Sequence, residues 1–95
     1  MKSIVQNKKV CFITGETNDL HEHHVYFGSK RKLSEKYGLK VYLIGKLHNL
    51  SEDGVHGKNG HALDLEIKHK VQIIAMDHYK WSVDDFIRII GKSYL

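Results

Sequence analysis

The chain has 95 residues, a formal net charge of +4 at pH 7, 41% hydrophobic residues and 27% charged residues, as expected for one small globular domain. No apolar run reaches the roughly 18 residues of a membrane span, and no signal-peptide pattern is present, so membrane-spanning and secreted classes are not expected. A single cysteine cannot form an internal disulfide, which favours a reducing, cytoplasmic setting. The positive charge suits an anionic partner such as nucleic acid, although charge alone does not identify one.

The first third of the chain predicts a β-hairpin. Residues 9–14 are rich in strand-forming side chains and end at Gly15, and a polar turn over residues 16–19 follows. Residues 20–27 then predict a second strand that pairs with the first.

A helix, a third strand and a helical turn are predicted next. Ser29 is a suitable N-cap for a helix over residues 30–37. Residues 39–44 have the composition of a third strand. Residues 46–50 predict a short helical turn that carries His48.

The remainder predicts a loop and two helices. Three glycines within residues 51–60 predict a loop around His56. Apolar spacings of three and four then predict an amphipathic helix over residues 61–79. Ser82, with Asp85 three residues later, predicts a capping box at the start of a last helix. The side chains expected on the apolar faces are Leu63, Ile67, Val71, Ile74 and His78 in the first of these helices, and Val83, Phe86, Ile87, Ile89 and Ile90 in the second.

Six of the eight histidines lie between residues 21 and 61. Histidine is the commonest metal ligand and titrates near neutral pH. His23 on a strand, with His48 and His56 on a following turn and loop, would supply three ligands from different elements and leave coordination positions open. His24 would then be free to act as a general base.

The adjacent pair His23 and His24 presents a geometric difficulty. Neighbouring side chains on a regular strand point to opposite faces, so both can face one site only if the strand twists or bulges. On a regular strand, His21 and His23 would instead share a face as a His-x-His ligand pair. The spacing does not choose between these arrangements, and it leaves open whether His21 or His61 joins the site.

A site of this kind suits phosphodiester hydrolysis. The reaction needs a deprotonated water in line with the leaving oxygen, and positive charge where the transition state gathers negative charge. A base with a pKa near 7 contributes typically 10²–10⁴-fold, and a metal ion acts as a Lewis acid on the phosphoryl group.

Several segments together resemble the HNH nuclease superfamily, most closely its small phage-borne branch related to the recombination enhancement function nucleases. The family pattern is a Cys-x-x-Cys-Gly knuckle, a His-His pair on a strand, Leu-Cys-x-x-Cys-His or Leu-Cys-x-x-His-His, and a further His. The matching segments are residues 11–15, 23–25, 43–48 and 54–56, with residues 34–41 and 90–95 also similar, so the resemblance covers most of the chain.

This resemblance implies an α+β fold with a ββα-metal core, a strand bent at the His pair and two C-terminal helices, in one domain over residues 1–95. Carried over by position, it implies that His23, His48 and His56 bind the metal and that His24 is the general base.

The chain departs from the family at the structural zinc site. The knuckle keeps Cys11 but has Thr14 in place of the second cysteine, and Ile44 and Leu47 stand at the other two thiolate positions. One thiol cannot hold a structural zinc, so no structural zinc is expected and apolar packing is expected there instead.

The sequence therefore predicts a DNA endonuclease or nickase that acts with one divalent metal ion, in a bacterium or a phage-infected host cell. Imidazole ligands favour zinc, manganese, nickel or cobalt, with magnesium less natural. The expected partner is double-stranded DNA, contacted through its backbone by basic side chains. The candidates are Lys8, Lys9, Lys30, Arg31 and Lys32.

Two other functions stay open on the sequence alone. The first is an inactive module of the same fold that binds nucleic acid or inhibits another protein. The second is a structural zinc domain in which Cys11 and two or three histidines form a closed four-ligand cage.

Overall fold

Two short strands, β1 (Leu20–His24) and β2 (Lys40–Ile44), form an antiparallel sheet in the computed structural model, which describes residues 1–95. Leu20 lies opposite Ile44 and His24 lies opposite Lys40, and the register between them is continuous. Four α-helices complete the architecture, so the predicted α+β class is confirmed. None of them has both the length and the apolar character that a bilayer-spanning helix requires.

The predicted hairpin between residues 9–14 and 20–27 is wrong. Residues 11–15 fold into a tight turn, in which the Gly15 N–H donates to the Cys11 carbonyl (2.9 Å) and the Cys11 N–H donates to the Glu16 carbonyl (2.8 Å). Gly15 reverses the chain with a φ of +78°, in the left-handed region that glycine tolerates best. β1 therefore pairs with β2 instead, and it ends at His24 rather than at Phe27.

The amino-terminal segment covers the outer edge of β2. The Ser3 hydroxyl donates to the Lys40 carbonyl (2.6 Å), and the Tyr42 N–H donates to the Gln6 side-chain oxygen (2.8 Å). The Phe12 N–H donates to the Tyr42 carbonyl (2.8 Å). These bonds satisfy strand groups that would otherwise offer an open edge to another chain.

Two short helices flank β2. Helix α1 (Arg31–Tyr37) follows a 3₁₀ turn over Gly28–Lys30, and no side chain caps its first turn, so the prediction of Ser29 as its N-cap is wrong. Helix α2 (Gly45–His48) is the predicted helical turn and carries His48 at its last position.

Helices α3 (His61–Tyr79) and α4 (Val83–Ile90) pack over the core, as their spacing predicts. The Ser82 hydroxyl accepts from the Asp85 N–H (3.0 Å) and the Asp85 carboxylate accepts from the Ser82 N–H (2.9 Å), which confirms the capping box.

Only some of the residues predicted for the apolar faces of α3 and α4 are buried. In α3 the buried residues are Asp64, Ile67, Val71, Gln72 and Ala75; Leu63 and Ile74 are only partly buried, and His78 is exposed. In α4 Phe86 and Ile90 are buried and Ile89 partly so, whereas Val83 and Ile87 are exposed.

Ser34 links α1 by hydrogen bonds to the segment that follows β1. Its buried hydroxyl donates to the Tyr26 carbonyl (2.6 Å) and accepts from the Tyr26 N–H (3.0 Å). Both Tyr26 backbone groups therefore depend on a single side chain.

Replacing Ser34 with alanine should lower the free energy of unfolding by about 1–3 kcal/mol, because two buried backbone groups lose their partner. Urea unfolding followed by circular dichroism measures the change. Ser29→Ala is the matched control and should change stability by less than about 0.5 kcal/mol. Equal effects of the two substitutions would contradict this account of α1.

Candidate metal centre

His23 places an imidazole inside the core. The residue is 1% exposed, and its Nε2 atom has no hydrogen-bond partner. Leaving a buried polar atom unpaired costs about 1–3 kcal/mol, so such an atom calls for an explanation. A metal ion is a partner that this nitrogen can take.

The backbone of the glycine-rich loop brings His56 beside His48. The His56 N–H donates to the His48 carbonyl (3.1 Å), and the Val55 N–H donates to the Leu47 carbonyl (2.9 Å). A Cβ on Gly54 would lie 2.7 Å from the His48 carbonyl oxygen, so the loop can approach α2 this closely only with glycine at that position. The loop therefore holds His56 next to His48.

His23, His48 and His56 form a cluster that we call the imidazole triad. One ring nitrogen from each lies within 4.8 Å of the corresponding atoms of the other two. The ring centroids are 5.2 Å apart for His23 and His48, 5.2 Å for His23 and His56, and 4.9 Å for His48 and His56. The structure therefore brings together all three histidines that the sequence predicts as ligands.

The imidazole triad opens to solvent on one side. His23 is buried, His48 is half-buried and His56 is exposed. The Phe27 ring forms an apolar wall, with its centroid 4.7 Å from that of His56 and 5.8 Å from that of His23. An ion held there would be reachable from the His56 side.

The environment of the triad favours neutral rings. Burial, together with the neighbouring His48 and His56, lowers the pKa of His23 to about 3. Burial also lowers the pKa of His48 to about 4, helped by His56 and His21. Neutral imidazole is the form that binds a metal, so these two side chains are in the binding form at neutral pH.

His24 belongs to a different group of side chains. Its Nε2 lies 2.8 Å from Glu35 Oε1, and the Lys40 ammonium lies 3.1 Å from both Glu35 oxygens. Glu22, His24 and Glu35 also have ligand atoms within 4.8 Å of one another. The Lys40 cation already sits among these carboxylates, so we interpret the group as an ion-pair network.

The regular register of β1 accounts for this separation. Because the pairing continues to His24 without a bulge, His23 and His24 point to opposite faces, and the bend implied by the family resemblance is absent. His21 shares the face of His23, and its Nδ1 lies 3.1 Å from His48 Nδ1. The predicted role of His24 as general base stays a prediction.

Two charged residues beside the candidate ligand groups make contacts that the sequence analysis does not predict. Glu35 accepts hydrogen bonds from the N-terminal ammonium, His24 and Lys40, which hold its pKa well below the usual range. The Lys68 ammonium lies 4.2 Å from the Phe27 ring centroid and 2.9 Å from Asp64 Oδ2. The packing of α1 and α3 places Glu35 beside His24 and Lys68 over Phe27, and no local spacing predicts either contact. The pair of Asp64 and Lys68, in contrast, has the i,i+4 spacing of a helical ion pair.

Cys11 lies apart from every group of potential ligands. It is buried in the apolar core cluster with Ile44, and Leu47 packs against that cluster, whereas Thr14 is exposed. Two of the positions that hold thiolates in the family pattern therefore carry apolar side chains that belong to the core cluster or pack against it. A cage of Cys11 and several histidines is not present.

The predicted DNA-contacting residues lie in two places. Lys8 and Lys9 line a cavity of about 670 Å³ together with Lys2, Lys40 and Tyr42. Arg31 and Lys32 are exposed at the start of α1, and Lys30, partly buried, lies against Gly91. His61, exposed at the first position of α3, is in neither ligand group.

Comparison with known proteins finds no matching family model, no similar curated protein and no similar solved structure.

The imidazole triad should bind one divalent ion per chain. Titration with Co²⁺, followed by its visible absorption, should give a stoichiometry of one. His56→Ala, a change at an exposed residue, should weaken binding by more than about 100-fold, because loss of a ligand should cost more than the 10–100-fold loss of an outer partner.

His78→Ala is the matched control, since this exposed histidine of α3 belongs to neither ligand group, and it should bind Co²⁺ like the wild type. Equal affinity of the wild type and His56→Ala would show that the triad is not the site.

Proposed function

We propose that the protein is a metal-dependent nuclease of the HNH type, with a ββα-metal centre that hydrolyses DNA phosphodiester bonds. The observation that carries this proposal is the convergence of His23, His48 and His56 from a strand, a helix and a loop. Three imidazole donors around a solvent-open position suit a catalytic ion better than a closed structural one.

The residues of the imidazole triad fit a divalent ion. The unpartnered Nε2 of buried His23 is the feature that an ion would satisfy. An all-imidazole donor set favours zinc, nickel, cobalt or manganese over magnesium. When bound, the ion would supply a Lewis acid for the phosphoryl group.

His24 and Glu35 provide the elements of a general base. If His24 Nε2–H donates to the ionised Glu35 carboxylate, the ring is fixed in one tautomer and Nδ1 is left to accept a proton from water. Because His24 and His23 face opposite sides of β1, this role requires the end of the strand to turn until Nδ1 reaches the attacking water.

Basic side chains support a DNA substrate. Lys8 and Lys9 line the cavity together with Lys40, which itself is paired with Glu35 on the same sheet face as His24. Arg31 and Lys32 add positive charge at α1. Phosphate contacts of this kind position a duplex without reading its sequence.

A second candidate is a metal-stabilised module that binds nucleic acid without cutting it. The observation that favours it is the contact of His24 with Glu35, within a network that includes Lys40 and lies away from the imidazole triad. In that case His24 stabilises the fold rather than accepting a proton.

Cleavage of supercoiled plasmid DNA separates the two functions. With Mn²⁺, Mg²⁺, Zn²⁺, Ni²⁺ or Co²⁺ supplied in turn, the nuclease should nick or linearise the plasmid. His24→Ala should lower the rate by about 10²–10⁴-fold, the usual contribution of a general base. It should still bind Co²⁺.

His78→Ala should cleave at the wild-type rate, as the matched control. If His24→Ala also cleaves at the wild-type rate, His24 is not the base. If the wild type binds DNA and Co²⁺ but cleaves with none of the five metals, the binding module is the correct function.

A further inference from the structure

His21 contacts the imidazole triad without belonging to it. Its Nδ1 lies 3.1 Å from His48 Nδ1, with the two rings nearly perpendicular at 88°. Its Nε2 lies 3.4 Å from Asp19 Oδ1. A continuous chain of polar contacts thus leads from the exposed Asp19 through His21 to His48, a member of the triad.

The chemistry of imidazole determines how protons are arranged along this chain. A neutral ring carries one N–H, so only one of the two facing Nδ1 atoms can donate. If His21 Nδ1 donated, its bare Nε2 would face the Asp19 carboxylate, and two lone-pair acceptors would oppose each other. The arrangement without that conflict has His21 Nε2–H directed at Asp19 and His48 Nδ1–H donating to His21.

Backbone contacts hold Asp19 at the end of the chain. Asp19 has a φ of +52°, and its carbonyl accepts from the Gly45 N–H (3.1 Å). A Cβ at Gly45 would come 2.5 Å from Asp19 Oδ2, so the carboxylate lies directly against the start of α2. The backbone of Asp19 is therefore tied to the start of the helix that carries His48, with the carboxylate beside it.

We propose that Asp19 and His21 are positioning residues of the metal centre, which fix the tautomer and ring orientation of His48. In this arrangement the proton of His48 is kept on Nδ1 and its Nε2 is bare and available to a metal. The inference rests on the proposed metal centre, and it assigns to His21 an outer role rather than that of a fourth ligand. Outer partners of this kind typically change metal affinity by 10–100-fold.

The first test needs no metal. In the chelator-treated protein, long-range ¹H–¹⁵N spectra distinguish protonated from bare ring nitrogens. His48 should carry its proton on Nδ1 in the wild type, and His21→Ala should shift the population towards the Nε2–H form. An unchanged His48 tautomer in His21→Ala would overturn the proposal.

The second test measures Co²⁺ binding by Asp19 and His21 variants. His21→Ala and Asp19→Ala should each weaken binding by about 10–100-fold while the absorption spectrum of bound Co²⁺ keeps its shape. His21→Asn, which keeps an acceptor near the Nδ1 position, should recover part of the affinity. The Asp19 side chain is 61% exposed, so its removal leaves no buried polar group unpaired.

Glu16→Ala is the matched control for the acidic substitution, because Glu16 is exposed in the same loop and outside both ligand groups. It should bind Co²⁺ like the wild type. A loss below twofold in both His21→Ala and Asp19→Ala would contradict the proposal, and so would a Co²⁺ spectrum that shows one nitrogen ligand fewer in His21→Ala. If the wild type shows the expected tautomer and binds Co²⁺ but does not cleave DNA, the proposed nuclease function fails while this inference stands.

Discussion

The buried Nε2 atom of His23 is the constraint on which the rest of the site depends. It is a polar atom in the core with no hydrogen-bond partner, a state that costs about 1–3 kcal/mol. The same burial, with the neighbouring His48 and His56, lowers the pKa of His23 to about 3, so the ring stays neutral at neutral pH. A divalent cation shared with His48 and His56 would give this nitrogen a partner. It would also explain why three imidazoles pack against one another.

The path of the backbone places the His48 and His56 rings next to His23. β2 leads directly into α2, which ends at His48, and the loop that follows returns to bond its own N–H groups to the carbonyls of Leu47 and His48. Gly54 is needed for this approach because a side chain there would meet the His48 carbonyl. Helix α3 then covers the core, and it places Lys68 over the Phe27 ring that walls the triad. The helical turn α2 and the loop that follows it thus bring together three histidines that lie far apart along the chain.

The sequence predicts which histidines lie together better than it predicts which strands pair. Histidines at positions 23, 48 and 56 can be identified by residue type and context, and capping residues identify the start of α4, because these signals are local. The pairing of β1 with β2 is not local: residues 9–14 have strand composition, yet the turn at Gly15 removes them from the sheet. The partners of His24 and His21 could not be foreseen either, since the contact with Glu35 depends on how α1 packs and the contact with His48 depends on the regular register of β1.

X-ray absorption at the zinc edge of the zinc-loaded protein tests most directly whether the three imidazoles meet around one cation. The account predicts imidazole scattering from three rings at about 2.0–2.1 Å, together with an oxygen ligand from solvent. The spectrum should lose one ring in His56→Ala. A sulfur shell near about 2.3 Å would instead assign the zinc to Cys11, and it would contradict the imidazole triad as the metal centre.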